Sequence, residues 1–473
     1  MNKSIGLFEA ILPLATMVVC LVGCSLFFPM GSELLVVVML ISAAVAGVIA
    51  IRLGHDWEAI QRSTGQKIAS VLPALLILLS IGMLIGTWMF SGTIPMLVYY
   101  GIRLVNPDYM ILTAFLVTAA MSLTGSSWAS AGTIGVALMG VATAMGSPLA
   151  ATAGAVVSGA YFGDKLSPLS DSTNICAIGA KADLYDHIRN MIYTAGPSFV
   201  VAFVVYLFAS IYIGGGELMV GADSSRLLQE IDQIYVLNGL TFLPAVVVLY
   251  GTFRRKPAAL TMVASSLVAM IVGVALHDFS VNSALLSAIS GFSFTMVNPE
   301  ILADPSSALT SLLNRGGINS MATTLILIIA AFLLAGGMDV SGGLDKLLQT
   351  MLQRARTAFG LVLATMLSGA TMISLTSHGG VTALIVGGLF QDAYKDQGLA
   401  PENLSRSLED SVTILEPLMP WAVSALFMAT TLGVPTVEYA PWAVFCMTGP
   451  IFSILIAATY SKTGFGLRRL DET

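Results

Sequence analysis

Residues 163–174 read GDKLSPLSDSTN and place Asp164, Lys165 and Asp171 directly behind 109–163, a run of 55 residues without a single Asp, Glu, Lys or Arg. Pro168 lacks a backbone donor and disfavours helix at Ser167, so a helix arriving through 149–163 should break here. A break frees carbonyls. With Asp164, Asp171 and the side-chain oxygens of Ser167, Ser170, Ser172, Thr173 and Asn174, it offers the hard oxygen ligands that a small hydrated cation prefers, on carboxylates whose charge a proton can also cancel. The stretch is expected to be a site where cation and proton compete, with Asp164, Asp171 and Asn174 as metal ligands and Lys165 paired to one of the two aspartates. The alternative, an exposed loop with solvated charges, fits less well, because the sequence turns apolar again at 175–180.

Around this stretch the chain is 56% hydrophobic and 10% charged over 473 residues, far from the charge content of a soluble protein and typical of a polytopic membrane protein. Charge-free runs at 10–32, 34–51, 68–102, 109–163, 190–216, 233–253, 257–276, 279–299, 316–338, 357–391, 417–437 and 439–461 mostly suit one crossing each. The net charge of -6 arises from few charges, and no basic run points to nucleic acid. Cys20, Cys24, Cys176 and Cys446 have no metal-ligand spacing and read as packing residues. Lys3 and the apolar stretch ending at Cys24 imitate a lipoprotein signal, but Glu9 interrupts the run and the run continues past Cys24, so a retained first helix is expected.

Orientation follows from basic residues in short loops: Arg52, Arg62 and Lys67, then 254–256, then Lys346, Arg354 and Arg356 should all be cytoplasmic, and so should the N-terminus. The acidic loop with Glu217, Asp223, Glu230 and Asp232 suits the outer face. Five plain crossings between residues 68 and 253 cannot connect two cytoplasmic loops, so something between 109 and 189 does not cross simply. A self-similarity marks the irregularity. SG at 91–92 precedes SLT at 122–124 by 31 residues, SG at 341–342 precedes SLT at 374–376 by 33, and SPLSD at 167–171 is answered by EPLMP at 416–420. The charge rule gives the two copies opposite orientation, and inverted repeats with broken helices at the midplane characterise secondary transporters.

Three further polar stretches lie where the repeat predicts them. SLTGSSWASAG, 122–132, carries Thr124, Ser126 and Ser127 with Gly125 able to turn the chain, and reads as the tip of a re-entrant hairpin. Small-residue helix packing is its other reading. SLTSHGG, 374–380, repeats the pattern with Thr376, Ser377 and His378, the last a group that titrates near neutrality when free in water. SLEDSVTILEPLMPW, 407–421, then supplies Asp410 and Thr413, with Glu409 close by, and Glu416 immediately before a second helix-breaking Pro417. A carboxylate there should pair, bind an ion or stay protonated.

These residues resemble the NhaC family of sodium/proton antiporters, whose members include malate and lactate exchangers. The similarity is dense over 57–190 and 395–421, above all in SGAYFGDKLSPLSDSTN at 158–174. The family's first-half motif is intact at Thr124, Gly125, Ser126, Ser127, Gly163, Asp164, Ser167, Pro168, Ser170, Asp171, Thr173 and Asn174. The second half departs: where the antiporters read Gly-Asp-Gln-Tyr, this chain has Ser377, His378, Gly379 and Gly380, and Glu416-Pro417-Leu418 replaces Ser-Pro-Leu. The resemblance implies an all-α polytopic membrane protein of about 11–12 transmembrane segments in an inverted repeat with two re-entrant hairpins and two broken helices. It also implies a homodimer and no cofactor beyond the transported Na+ and H+.

The leading reading is therefore a secondary transporter, not an enzyme, exchanging Na+ for H+ across the cell (inner) membrane by an elevator-like movement. The alternative keeps the fold and moves a small carboxylate or amino acid with Na+ or H+, since Gly-rich tips and helix N-termini suit a carboxylate. An intramembrane hydrolase is disfavoured: no paired-histidine metal motif and no G-x-S-x-G occur. Expected units are scaffold helices at 1–108, a first transport unit at 109–180, scaffold and linker at 181–356, a second transport unit at 357–430 and a C-terminal helix and tail at 431–473.

Overall fold

The computed structural model describes residues 5–28, 31–214, 222–277, 279–302, 304–353 and 355–470, so Glu217 and Arg354 of the orientation argument, and Lys3 of the signal-like start, lie outside the described residues. Among those residues the protein is all helix apart from loops and two isolated bridges, Phe292 with Arg315 and Leu399 with Arg469. The first part comprises α1 (Leu7–Ser25), α2 (Ser32–Arg52), α3 (Trp57–Ser70), α4 (Leu72–Phe90), α5 (Thr93–Leu104) and α6 (Met110–Ser122). There follow α7 (Ser127–Ser130), continued through a π turn into α8 (Val136–Ala144), then α9 (Leu149–Leu166), α10 (Asp171–Ala180), α11 (Leu184–Ala209) and α12 (Ala222–Ile234). The second part comprises α13 (Leu243–Phe253), α14 (Ala258–Leu276), α15 (Val281–Ile289), α16 (Ser307–Leu313), α17 (Ala322–Val340) and α18 (Gly343–Leu352). It closes with α19 (Ala358–Thr376), α20 (Gly379–Asp396), α21 (Pro401–Leu408) running into a π turn at Glu409–Thr413, α22 (Val423–Leu432), α23 (Thr436–Tyr439) and α24 (Val444–Thr463).

Nine of the described helices are long and apolar enough to cross a bilayer, or eleven if each of two bent pairs counts as one span. The order of elements repeats. Helices α4 and α17 each end in a Ser-Gly turn with the glycine left-handed, φ 76° at Gly92 and 72° at Gly342. A short helix, an antiparallel hairpin, a broken helix and a long helix follow in both halves. The partners are exchanged between halves: α4 packs on α14 and α15, whereas α17 packs on α2 and α3. Likewise α10 lies on the returning arm of the second hairpin, α20, and α22 on that of the first, α7 to α8.

The parity problem dissolves at the first hairpin. Gly159 sits on Phe115 and Ala119 while Gly163 sits on Ala119 and Leu123, so α6 and α9 run side by side in the same direction. Any Cβ at Gly163 would meet the Ala119 carbonyl oxygen at 2.5 Å, which is why small residues line this face. The start of α6, the end of α8 and the start of α9 therefore share one end of the molecule, and the hairpin enters and returns. Between residues 68 and 253 the crossings reduce to α4, α9 with α10, α11 and the shorter α13, an even number. In the run 279–299 only Val281–Ile289, 9 residues, is α-helical, and the helix ends before Ser290 and Gly291.

Candidate functional site

Local chemistry breaks the helices where the polar stretches lie. Ser167 is extended at φ -92° and ψ 125°, as the residue before Pro168 must be, and α9 stops. Ser170 then caps α10, accepting from the Thr173 amide, and Asp171 opens its first turn, where a carboxylate is favoured. The first hairpin turns at Gly125, φ 103°, whose missing Cβ would lie 2.5 Å from the Leu169 side chain. Ser167 Oγ donates to the Leu123 carbonyl at 3.0 Å, fastening hairpin tip to helix break. In the second half Ser377 itself takes the left-handed turn, φ 58°, and its carbonyl accepts from the Val423 amide at 2.9 Å, fastening the second tip to the second break.

Each half thus presents one carboxylate to two helix starts. Ser127 donates its amide to Asp164 Oδ1 and its hydroxyl to Oδ2, both at 3.2 Å, and the Ser172 hydroxyl donates to Oδ2 at 3.0 Å. In the second half the Gly379 amide donates to Glu416 Oε2 at 3.1 Å and the Ser424 amide to Oε1 at 3.3 Å. Both carboxylates are buried and both line one cavity of about 320 Å³. The expectation that Glu416 must find partners is met by backbone amides at the starts of α20 and α22, where the helix dipole favours negative charge.

The cavity collects Gly125, Ser126, Ser127, Asp164, Asp171, Ser172, His378, Thr413 and Glu416 of the residues read from sequence. Asp171 stands exposed at its mouth. His378 is half-buried with Nδ1 unpartnered. The structure does not bring the remaining seven to the cavity. Thr124 bonds to the Met121 carbonyl, Ser167 to Leu123, and Thr173 Oγ1 to the Asp164 carbonyl at 3.1 Å. Asn174 uses its amide on the carbonyls of Pro168, 3.1 Å, and Ser170, 2.7 Å, stitching the break closed. Thr376 pairs with Thr382, and Ser377 Oγ is buried without a partner. Asp410 lies deeper, bound to Lys165.

That last contact is a correction. Lys165 pairs with neither Asp164 nor Asp171 but with Asp410, a salt bridge joining the two halves, with Thr194 Oγ1 also donating to Asp410 at 3.3 Å. Beside it runs a second buried line that sequence reading did not assemble. The Ser172 hydroxyl stands between Asp164 and Glu409, whose Oε1 it approaches at 3.3 Å and which also accepts from Thr413 Oγ1 at 3.1 Å. His187 Nε2 lies 3.7 Å from Glu409 Oε2, and its Nδ1 bonds to Ser405 Oγ at 2.7 Å. The adjacent acids Glu409-Asp410, set within a buried helix, were the available signal for this line.

Helix breaks, two re-entrant tips and paired carboxylates in one cavity agree with what residues 159–459 match, the model described as the Na+/H+ antiporter family. The chain belongs to the Na+/H+ antiporter family. It is 42% identical to an uncharacterized Na+/H+ antiporter of Haemophilus influenzae, over 98% of this chain and 97% of that one. It is 33% identical to the Na+/H+ antiporter NhaC of Alkalihalophilus pseudofirmus, over 98% of both chains. It is also 30% identical to the malate-2H+/Na+-lactate antiporter of Bacillus subtilis, over 97% of this chain and 95% of that one. This family membership covers the whole fold described above.

Proposed function

We propose that the protein is a secondary active antiporter that exchanges Na+ for H+, with Asp164 as the group both ions share. The observation that carries the reading is Asp164 itself: a buried carboxylate at the junction of hairpin tip and helix break, opening on a cavity and ringed by hydroxyls. With Na+ bound, Ser127 and Ser172 turn their hydroxyl lone pairs to the ion and the carboxylate balances its charge. With a proton on Asp164 the same hydroxyls need no cation. Because one carboxylate serves one ion at a time, neither flux proceeds without the other. Glu409, sharing Ser172 with Asp164, is a second negative group that draws the cation inward, and Asp171 at the mouth guides it. The absence of a cofactor from this scheme follows from the chemistry, since both transported species are cargo.

Ser70 and Val71, close after Lys67, line the cavity, which on the basic-loop rule is read as facing the cytoplasmic side. The same rule gives the two halves opposite orientation and the N-terminus a cytoplasmic position, in a cell membrane protein of many spans. The hairpins and broken helices, 109–180 and 357–430, are read as the moving unit, the helices of 1–108 and 181–356 as scaffold and 431–473 as a closing helix and tail, in a homodimer. One observation bears on organic solutes: Glu416 already occupies the two helix starts that a solute carboxylate or an amino acid would use, which favours plain cation exchange, while the unpartnered His378 Nδ1 keeps a donor or acceptor in the cavity for a bound solute.

Protein reconstituted in liposomes with a preset pH gradient tests this. External Na+ is expected to collapse the gradient and K+ to leave it. If cations alone have no effect and malate, lactate or amino acids do, the solute-coupled reading replaces this one. Ser172→Ala is expected to raise the Na+ concentration for half-maximal exchange about tenfold, since a hydrogen bond to a charged group contributes roughly 1.5–3 kcal/mol; an unchanged value removes Ser172 from the site.

A further inference from the structure

A second, larger cavity of about 650 Å³ lies away from the carboxylate site, and its chemistry is opposite. It is bounded by Ile85 of α4, Leu286 of α15, Val136 of the first hairpin and Thr430, Thr431 and Gly433 at the end of α22. Arg315 is its one charged lining residue. Among the described residues no carboxylate pairs with this guanidinium; Nε donates to the Ser311 carbonyl at 3.2 Å. A cation in such a pocket carries a desolvation cost that an anion would offset. Thr431, 3% exposed, has its hydroxyl buried and without a partner on the same cavity wall.

The place of Arg315 is built, not incidental. Its carbonyl accepts from the Phe292 amide at 3.1 Å, and two residues on the Gly317 amide donates to the Gly82 carbonyl of α4 at 2.7 Å. Those bonds lock the segment that carries the arginine between α4 and α15. The guanidinium reaches the end of α22: a Cβ on Gly433 would lie 3.4 Å from Nη1. A fork of donors, a free hydroxyl and room for several heavy atoms match the shape of an oxyanion, which arginine grips with two parallel bonds.

We infer that this cavity binds an oxyanion through Arg315 and Thr431, either the carboxylate of a small organic anion or the phosphate of an anionic lipid headgroup. The site is separate from the Asp164 cavity, so it stands whether or not Na+ is the transported ion. Purified full-length protein in phosphatidylcholine nanodiscs, titrated with potassium malate or potassium lactate against potassium chloride, and in parallel in phosphatidylglycerol nanodiscs, distinguishes the two sources by thermal unfolding. A saturable rise in midpoint with malate or lactate assigns a soluble carboxylate, and a rise on moving to phosphatidylglycerol assigns a headgroup. In either arm Arg315→Gln is expected to weaken the response at least about tenfold and Arg315→Lys to retain part of it, since the lost bonds are charge-assisted. Thr431→Val, a near-isosteric change, is expected to weaken it without altering the unliganded midpoint. No response in either arm, or one equal in wild type and Arg315→Gln, overturns the proposal.

Discussion

Asp164→Asn is expected to abolish Na+-dependent collapse of a pH gradient in proteoliposomes, lowering the initial rate at least about 100-fold, the order that loss of 2.7 kcal/mol or more implies. The side chains are close in shape, and the amide can still bond to the Ser127 and Ser172 hydroxyls that now serve Asp164 Oδ2. What is lost is the ability to carry charge and to bind and release a proton. Because the substitution keeps shape, the variant should remain monodisperse in detergent with a near-native unfolding midpoint, so that a rate loss reports on ion exchange. Asp171→Asn is the internal contrast: exposed at the start of α10, it should slow exchange by less than about threefold, through weaker attraction of cations and a weaker cap. Should Asp164→Asn exchange at a rate comparable to wild type, or Asp171→Asn prove the more damaging change, the assignment of the shared site is wrong.

Much of this geometry could be read from local rules, because the features that make it are local. Pro168 breaks α9 through its own missing N–H, Gly125 turns the first hairpin through its own positive φ, and the 55-residue charge-free run is too long for one span and too short of loops for two full ones. What stayed hidden depends on how the halves interlock. Adjacent helical residues point about 100° apart, so Lys165 cannot face what Asp164 faces. The sequence neighbours of Lys165 suggested Asp164 or Asp171, yet its partner is 245 positions away. The same divergence splits Glu409 from Asp410, sending one toward Ser172 and the other to Lys165. Similarly, nothing local to His187 marks it: it sits on α11 as an isolated histidine, and only the packing of α11 on α21 brings it to Glu409. Whether the run 279–299 crosses or re-enters could not be read from the sequence for a simpler reason. Its lack of charge satisfies the criterion for a span, but Ser290, Gly291 and the bridge from Phe292 to Arg315 end the helix after one face has docked on α4.

The interlock itself makes a quantitative demand on Lys165 and Asp410. Both side chains are essentially sealed from solvent, 3% and 0% exposed, with the ammonium 5.9 Å from the Phe445 ring centre on α24. An ion pair so placed contributes little over a well-packed apolar pair, yet removal of one partner strands the other charge, at about 3–5 kcal/mol. Lys165→Met alone and Asp410→Leu alone should each lower the unfolding midpoint in detergent markedly, and combining them should restore most of the loss. That non-additivity is the signature of a buried pair rather than of two separate contacts. Additive losses would mean that Lys165 and Asp410 are stabilised by different neighbours. Transport by the double variant carries the second half of the argument. Lys165 follows Asp164 and Asp410 follows Glu409, so the pair pins both backbones that present Asp164 and Glu409, and it does so across the two halves. If its role is to hold Asp164 and Glu409 on either side of Ser172, the apolar replacement should keep Na+/H+ exchange within about tenfold of wild type, since geometry survives where charge does not. A stable double variant without exchange would instead make the lysine's charge part of the ion site, balancing the carboxylates whenever Na+ is absent.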